Sequence, residues 1–142
     1  MALARVGQTE ARLAGRARWP FHRHAMFGLA EGLLVAAVAQ PLRLGAPMIA
    51  VALSLVTVCV FDDRRRHGMF VSGWQAGATR PVTLAMAAVL FVLIAAAAWL
   101  RDGDAVQPLG YLLGAIAWAV CTGASLLWQK VYRAELTAGS DR

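Results

Sequence analysis

The sequence predicts an all-α, polytopic membrane protein with four transmembrane helices in two antiparallel hairpins, preceded by a short amphipathic helix. Two observations predict this class. The 142 residues are 59% hydrophobic and only 15% charged, whereas charged residues make up about 25% of an ordinary soluble domain. The apolar residues also fall into four runs separated by polar connections, and each run, with its flanks, approaches the ~20 residues that a membrane span needs.

A basic leader, residues 1–24, precedes the first apolar run. Arg5, Arg12 and Arg16 follow one another at spacings of seven and four, so on a helix they share one face. We therefore expect an amphipathic helix on an anionic membrane surface, with Trp19 as an interfacial anchor. A disordered basic leader is the alternative.

The transmembrane domain is predicted at residues 25–132, and a cytoplasmic tail at 133–142. The four spans lie at about 25–42, 46–62, 81–100 and 109–128. The first ends in a small-residue pattern that a signal peptidase can read, but the long leader and Glu31 inside the run favour a retained span. The second is expected to begin near Pro47, because a first helical turn tolerates the missing N–H of proline.

Arginine placement predicts the orientation. The leader contains five arginines and the loop between the second and third spans contains four, whereas the other two connections contain only Arg43 and Arg101. Basic residues accumulate in cytoplasmic segments. Both termini and the central loop are therefore predicted on the cytoplasmic side, and the Ala- and Arg-rich composition indicates a bacterial inner membrane.

Glu31 is the ionisable side chain placed deepest within a predicted span. A carboxylate there is costly unless it is protonated, paired or facing water. One interpretation is a titrating group that couples protons or cations to transport. The other is a structural ion pair with Arg80 or with one of the arginines 64–66, which can reach down from the interface.

Two pairs of glycines at GxxxG spacing lie in the first and fourth spans: Gly28 with Gly32, and Gly110 with Gly114. Small residues at this spacing let helix backbones approach closely in a membrane. Either pair can serve packing within one protomer or a seam between copies. We expect a homo-oligomer or a place in a larger membrane complex.

The central loop opens with a charged run that contains Arg64, Arg65 and Arg66, and it ends at Arg80. These arginines are expected either to anchor the topology or to bind anionic lipid headgroups or phosphate. Asp62 and Asp63 can pair locally or hold a divalent cation, but further oxygen ligands are not evident. Residues 68–77 are expected to form an interfacial connector or a re-entrant turn.

The sequence offers little for catalysis or cofactors. Cys59 and Cys121 lie inside apolar runs without metal-site spacing, so they are expected to pack as small apolar residues. His22 and His24 fall on different faces of a helix, which disfavours a metal pair. No HExxH, GxSxG or P-loop pattern is present. We expect no metal and no cofactor, and an enzyme is the less expected class.

The net charge is +6, and the residues that contribute it lie between the apolar runs. Anionic lipid headgroups are therefore the expected partner, and nucleic acid is not. The predicted function is a non-enzymatic accessory or scaffold subunit that docks a partner or anionic lipid through the arginine-rich loop. The alternative is a small oligomeric transporter or channel in which Glu31 is the coupling carboxylate.

Overall fold

The structure, a computed structural model, describes residues 19–67 and 77–140, apart from the side chains of residues 66, 67, 139 and 140. These described residues form α-helices and contain no strand. The helices are α1 (Phe21–Ala39), α2 (Leu42–His67), α3 (Arg80–Leu100) and α4 (Pro108–Ser140). The predicted all-α class is thus confirmed. The predicted leader helix and nearly all of the 68–77 connector lie outside the described residues.

The breaks between helices differ from the predicted limits because of proline. Gln40 precedes Pro41 and is extended, with φ −89° and ψ 157°, as the residue before a proline prefers. The first helix therefore ends at Ala39 rather than at residue 42. The carbonyl of Pro41 then accepts the N–H groups of Leu44 and Gly45, each at 2.9 Å, so α2 starts at Leu42 and contains Pro47 in its interior.

The last helix continues well beyond the predicted span. It reaches Ser140 over 33 residues, which corresponds to about 50 Å at 1.5 Å per residue. The hydrocarbon core of a bilayer is only about 30 Å thick. The segment that was expected to be a separate tail is therefore mostly the helical end of α4.

Within the part of the chain that the structure describes, three helices are long and apolar enough to cross a membrane: Leu42–Arg65, Arg80–Leu100 and Pro108–Ala138. Their outer surfaces expose large apolar side chains, such as Phe91 and Trp99. Where Ser54 and Thr57 face outward on α2, their hydroxyls donate to the carbonyls four residues earlier, each at 2.8 Å, which satisfies these groups without water. Together these features indicate a membrane protein.

Helix α1 lies at the centre of the fold and has charged or titratable side chains along its length. It contains His22, Arg23, His24 and Glu31 within 19 residues, and it is not among the three candidate spans. It contacts each of the other three helices. Its most extensive contact is with α4 rather than with α2, its predicted hairpin partner.

The four predicted packing glycines meet in this contact between α1 and α4. A Cβ atom placed on Gly32 would lie 2.6 Å from the carbonyl oxygen of Gly114, and one on Gly114 would lie 2.7 Å from the carbonyl oxygen of Gly32. Gly28 faces the backbone of Trp118, and Gly110 faces Ala39. The two helices therefore run antiparallel with their backbones touching, and both glycine pairs are used inside one protomer.

The apolar core continues from this contact toward α3. Val35 and Ala39 of α1 pack with Ala97 of α3 and Ala117 of α4, all fully buried. The partly buried side chains around them are Val38, Leu90, Leu93 and Leu113.

At the far end of α1, a glutamine side chain joins two connections. The amide of Gln40 is 1% exposed. Its Nε2 donates to the carbonyl of Gln107 at 2.7 Å, and its Oε1 accepts the N–H of Gln107 at 3.1 Å. This pair of bonds ties the α1–α2 turn to the connection that precedes α4.

Candidate functional site

Polar and aromatic side chains gather at the other end of the bundle, where the start of α1 meets the end of α2 and the second half of α4. We call this group the junction cluster. Its members are Trp19, Arg23, His24, Asp63, Ser125, Trp128, Gln129 and Tyr132.

An ion pair between Arg23 and Asp63 joins α1 to α2. Arg23 Nε lies 2.8 Å from Oδ1 and 2.9 Å from Oδ2 of the carboxylate, and the guanidinium makes a further bond through Nη2. The side chains are 25% and 10% exposed, respectively. Such a multiply bonded, largely desolvated pair is stronger than a surface ion pair. Asp63 therefore binds a distant arginine rather than only its sequence neighbours.

His24 joins α1 to α4 and is 1% exposed. Its Nε2 lies 2.9 Å from Oε1 of Gln129, and its Nδ1 lies 2.7 Å from Oγ of Ser125. The backbone N–H of Trp19 also donates to Oε1 of Gln129, at 3.0 Å, which identifies that atom as the amide oxygen. Neutral His24 therefore carries its proton on Nε2, and its Nδ1 accepts the hydroxyl proton of Ser125.

The setting of His24 favours the uncharged ring. His24 precedes the predicted span 25–42. Burial lowers its pKa below the ordinary value of 6.5, and the nearby charge of Arg23 acts in the same direction. The hydrogen bond to Gln129, a hydrogen bond to the backbone of Trp19 and the charge of Asp63 oppose this shift. The net shift of the His24 pKa is downward, because the cost of burying a charged imidazolium exceeds the stabilisation that these contacts give it.

Aromatic rings cover the outer side of the cluster. Trp128 and Tyr132, one turn apart on α4, stack at 5.0 Å with an interplanar angle of 13°. Trp19 lies 6.2 Å from the first ring and 6.4 Å from the second. The Arg23 guanidinium lies 4.8 Å from the centre of the Trp19 ring, within cation–π range. These contacts hold the chain before α1 against α4.

Exposed basic side chains surround the junction cluster, and we call them the basic rim. They are Arg64 and Arg65 at the end of α2, Arg80 at the start of α3, and Lys130 on α4. Within the described part of the chain, none of them forms an ion pair. The side chain of Arg66 lies outside the described residues. The structure thus brings three of the four predicted anion-binding arginines to one end of the fold.

A carboxylate fixes the start of α3 within this end. Glu135 Oε1 accepts the backbone N–H of Ala78 at 3.2 Å, and the same carboxylate lies against Gly77, where a Cβ atom would meet its Cδ at 3.1 Å. Negative charge is favourable near the first turn of a helix. The end of α4 therefore positions the segment that carries Arg80.

Glu31 lies apart from all of these groups. It is half-buried in the middle of α1, eight residues beyond Arg23, or about 12 Å along the helix. Among the described side chains it has no ion pair and no hydrogen bond. The anticipated pairing with Arg64, Arg65 or Arg80 is not formed, because those residues lie at the level of Asp63 and of the α3 start. Its polar neighbour is Cys121 of α4, which is close enough to interact electrostatically.

The sequence interpretation missed several residues that build this end. Ser125 and Gln129 were not singled out, although their spacing of four places two polar groups on one face of an apolar helix. His24 was considered only as a metal ligand. Gln40 and Gln107 each precede a proline at the start of a helix, and that repeated Gln-Pro pair was the available signal.

The arrangement can attract anions through its rim and can hold helices together through its buried polar groups. Among the described residues, no group of three His, Cys, Asp or Glu side chains is placed to hold a metal ion. No family model, no curated protein and no solved structure matches this chain.

Proposed function

We propose that this chain is a non-enzymatic accessory or scaffold subunit of a bacterial inner membrane that docks an anionic partner or anionic lipid at its basic rim. The observation that supports this proposal is that the arginines at that end differ in whether they form an ion pair. Arg23 is neutralised by Asp63, whereas Arg64, Arg65 and Arg80 are exposed and form no ion pair within the described residues.

The charge distribution supports an orientation with this rim in the cytoplasm. The opposite end carries Arg43 and Arg101, and Arg101 is followed by the exposed acids Asp102 and Asp104. Basic residues accumulate in cytoplasmic segments, and this favours the basic end on the cytoplasmic side. In this proposal α1 crosses the membrane as a fourth span, with its polar groups covered by the other helices, and α1 with α2 and α3 with α4 form the two hairpins.

Oligomer formation belongs to the same proposal. Since Gly32 and Gly114 pack against each other within one protomer, they are not available for a seam between copies. A homo-oligomer or a larger membrane complex would instead use the apolar outer faces of α2 and α3, which expose side chains such as Val51 and Phe91.

The docking function is tested by replacing Arg64, Arg65 and Arg80 with Gln. Purified protein in neutral detergent is titrated with a short-chain anionic phospholipid at several salt concentrations. Each basic residue near an anionic surface contributes about 1 kcal/mol, so the triple variant should bind roughly a hundredfold more weakly, with a smaller salt dependence. Cross-linking in native membranes reports a protein partner in parallel.

The matched control replaces Arg43 and Arg101, at the opposite end, with Gln. It should leave both lipid binding and cross-linking unchanged. If the rim variant retains both at every salt concentration, or if the control variant loses them equally, the rim is not the docking surface.

A small transporter or channel is the second candidate, because Glu31 is a half-buried carboxylate at mid-helix without an ion pair in the described structure. An acid within a membrane span is by default a hypothesis for a functional site. In liposomes, Glu31→Gln should abolish proton flux coupled to a substrate or cation while the fold persists. Unchanged flux in this variant would reject the coupling role.

A further inference from the structure

His24 has a buried position that anion docking does not require. It connects α1 to two side chains of α4, and one of them, Gln129, also receives the backbone N–H of Trp19. Three attachments thus converge on Gln129 and His24: the chain before α1, the first turn of α1, and the second half of α4. A change in the protonation state of His24 alone can therefore affect all three attachments.

The groups around His24 do not accommodate a second positive charge. On its own helix, Arg23 is already a cation, and the carboxylate of Asp63 on α2 is engaged by Arg23 through both oxygens. Ser125 and Gln129 of α4 do not titrate, and neither oxygen carries a full negative charge. Among the described residues, Asp63 is the one acid whose charge acts on His24, and neither Asp62 nor Glu135 contributes.

The remaining elements at this end do not change that conclusion. Near the start of α3, the buried polar side chains are Thr79 and Thr83, which do not titrate, and Arg80 is an exposed cation. Tyr132 follows Gln129 by about one turn on α4 and lies against Trp19, and its side chain is not a carboxylate.

We propose that His24 is a pH-sensitive latch, which when neutral fixes the start of α1 and Trp19 to the second half of α4, and which releases them when it is protonated. Protonation also disturbs the bond to Ser125. Neutral Nδ1 accepts the hydroxyl proton, whereas an imidazolium carries a proton on Nδ1, so the hydroxyl must reverse to accept it. The switch does not depend on what the basic rim binds.

The burial of the His24 ring determines whether the junction gains or loses stability as the pH falls. Burial lowers the pKa of His24 from 6.5, so the folded junction binds fewer protons than the released one. The latch is therefore fully closed above pH 6.5 and loses stability as the pH falls through the depressed pKa.

Amide hydrogen exchange tests the latch in the full chain, reconstituted in nanodiscs. Exchange is followed in a peptide that covers residues 19–24 between about pH 8 and pH 5, after correction for the intrinsic pH dependence of exchange. The wild-type protein should lose protection in this peptide on acidification. In His24→Gln, which can still donate and accept hydrogen bonds but does not titrate, protection should no longer depend on pH.

His22→Gln is the matched control, since His22 is exposed and lies two residues away; it should keep the acid-induced loss. A second variant, Gln129→Glu, places a carboxylate beside Nε2 and should keep residues 19–24 protected to lower pH than in the wild type. An acid-induced loss that persists in His24→Gln, is absent from the wild type, or is unshifted in Gln129→Glu overturns the proposal.

Discussion

Substituting Gly32 with Ala measures how closely α1 and α4 approach. The added Cβ would lie 2.6 Å from the carbonyl oxygen of Gly114, which is 0.8 Å inside the 3.4 Å limit of an ordinary contact. This oxygen belongs to helical backbone and cannot rotate away, so the helices must separate. Overpacking of this kind costs about 1–3 kcal/mol, and the better helix propensity of alanine returns about 0.5–1 kcal/mol. We expect a net loss of about 1–2 kcal/mol.

The assay is reversible unfolding in mixed detergent micelles, followed by helical circular dichroism. Gly123→Ala is the matched control, because Gly123 also lies in α4 but has no atom within 4 Å of an added Cβ. That variant should gain about 0.5–1 kcal/mol from helix propensity alone. If the two substitutions shift stability equally and in the same direction, the backbones of α1 and α4 do not touch at Gly32 and Gly114.

Two further predictions concern the ends of the bundle. Asp63→Asn should destabilise the fold by about 2–3 kcal/mol, because it leaves the Arg23 cation partly buried and uncompensated. Asp104→Asn, in an exposed connection, should change stability by less than about 0.5 kcal/mol; equal effects in chemical unfolding would contradict a structural ion pair. Reporter fusions at Gln75 and Asp104 should report opposite sides of the membrane, and activity of both reporters on one side would refute the orientation.

The sequence predicted the helices well because helix formation in a membrane is a local property. Every backbone N–H must be satisfied within its own segment, so apolar run length and proline positions nearly suffice. The predicted helix boundaries were wrong where two local signals favour different boundaries. Pro47 was taken as a helix start although Pro41 provides an earlier one, and the polar residues after Trp128 concealed a helix that continues to Ser140.

The site was less predictable because its contacts join residues far apart in the chain. The glycine spacing marked Gly28, Gly32, Gly110 and Gly114 as packing positions, yet it did not tell which helices they join. Nothing local to Asp63 selects Arg23 over the three arginines that follow it. One interpretation of Glu31 paired it with Arg80 or with one of the arginines 64–66, which the fold places on α2 and α3 at the end of the bundle where Arg23 lies; Arg23 is itself about 12 Å from Glu31 along α1.

The sequence by itself determined the helical membrane class, the accumulation of arginines at one end, and the small-residue faces, because each depends on composition or on spacing within one helix. The tertiary structure alone decided that α1 is central, that it packs most closely on α4, that His24 is buried against Gln129, and that Arg23 pairs with Asp63. These outcomes depend on which faces meet. The sequence of a helix does not tell which of its faces will contact a neighbour. Only packing decides which polar groups are removed from water and must find partners in another helix.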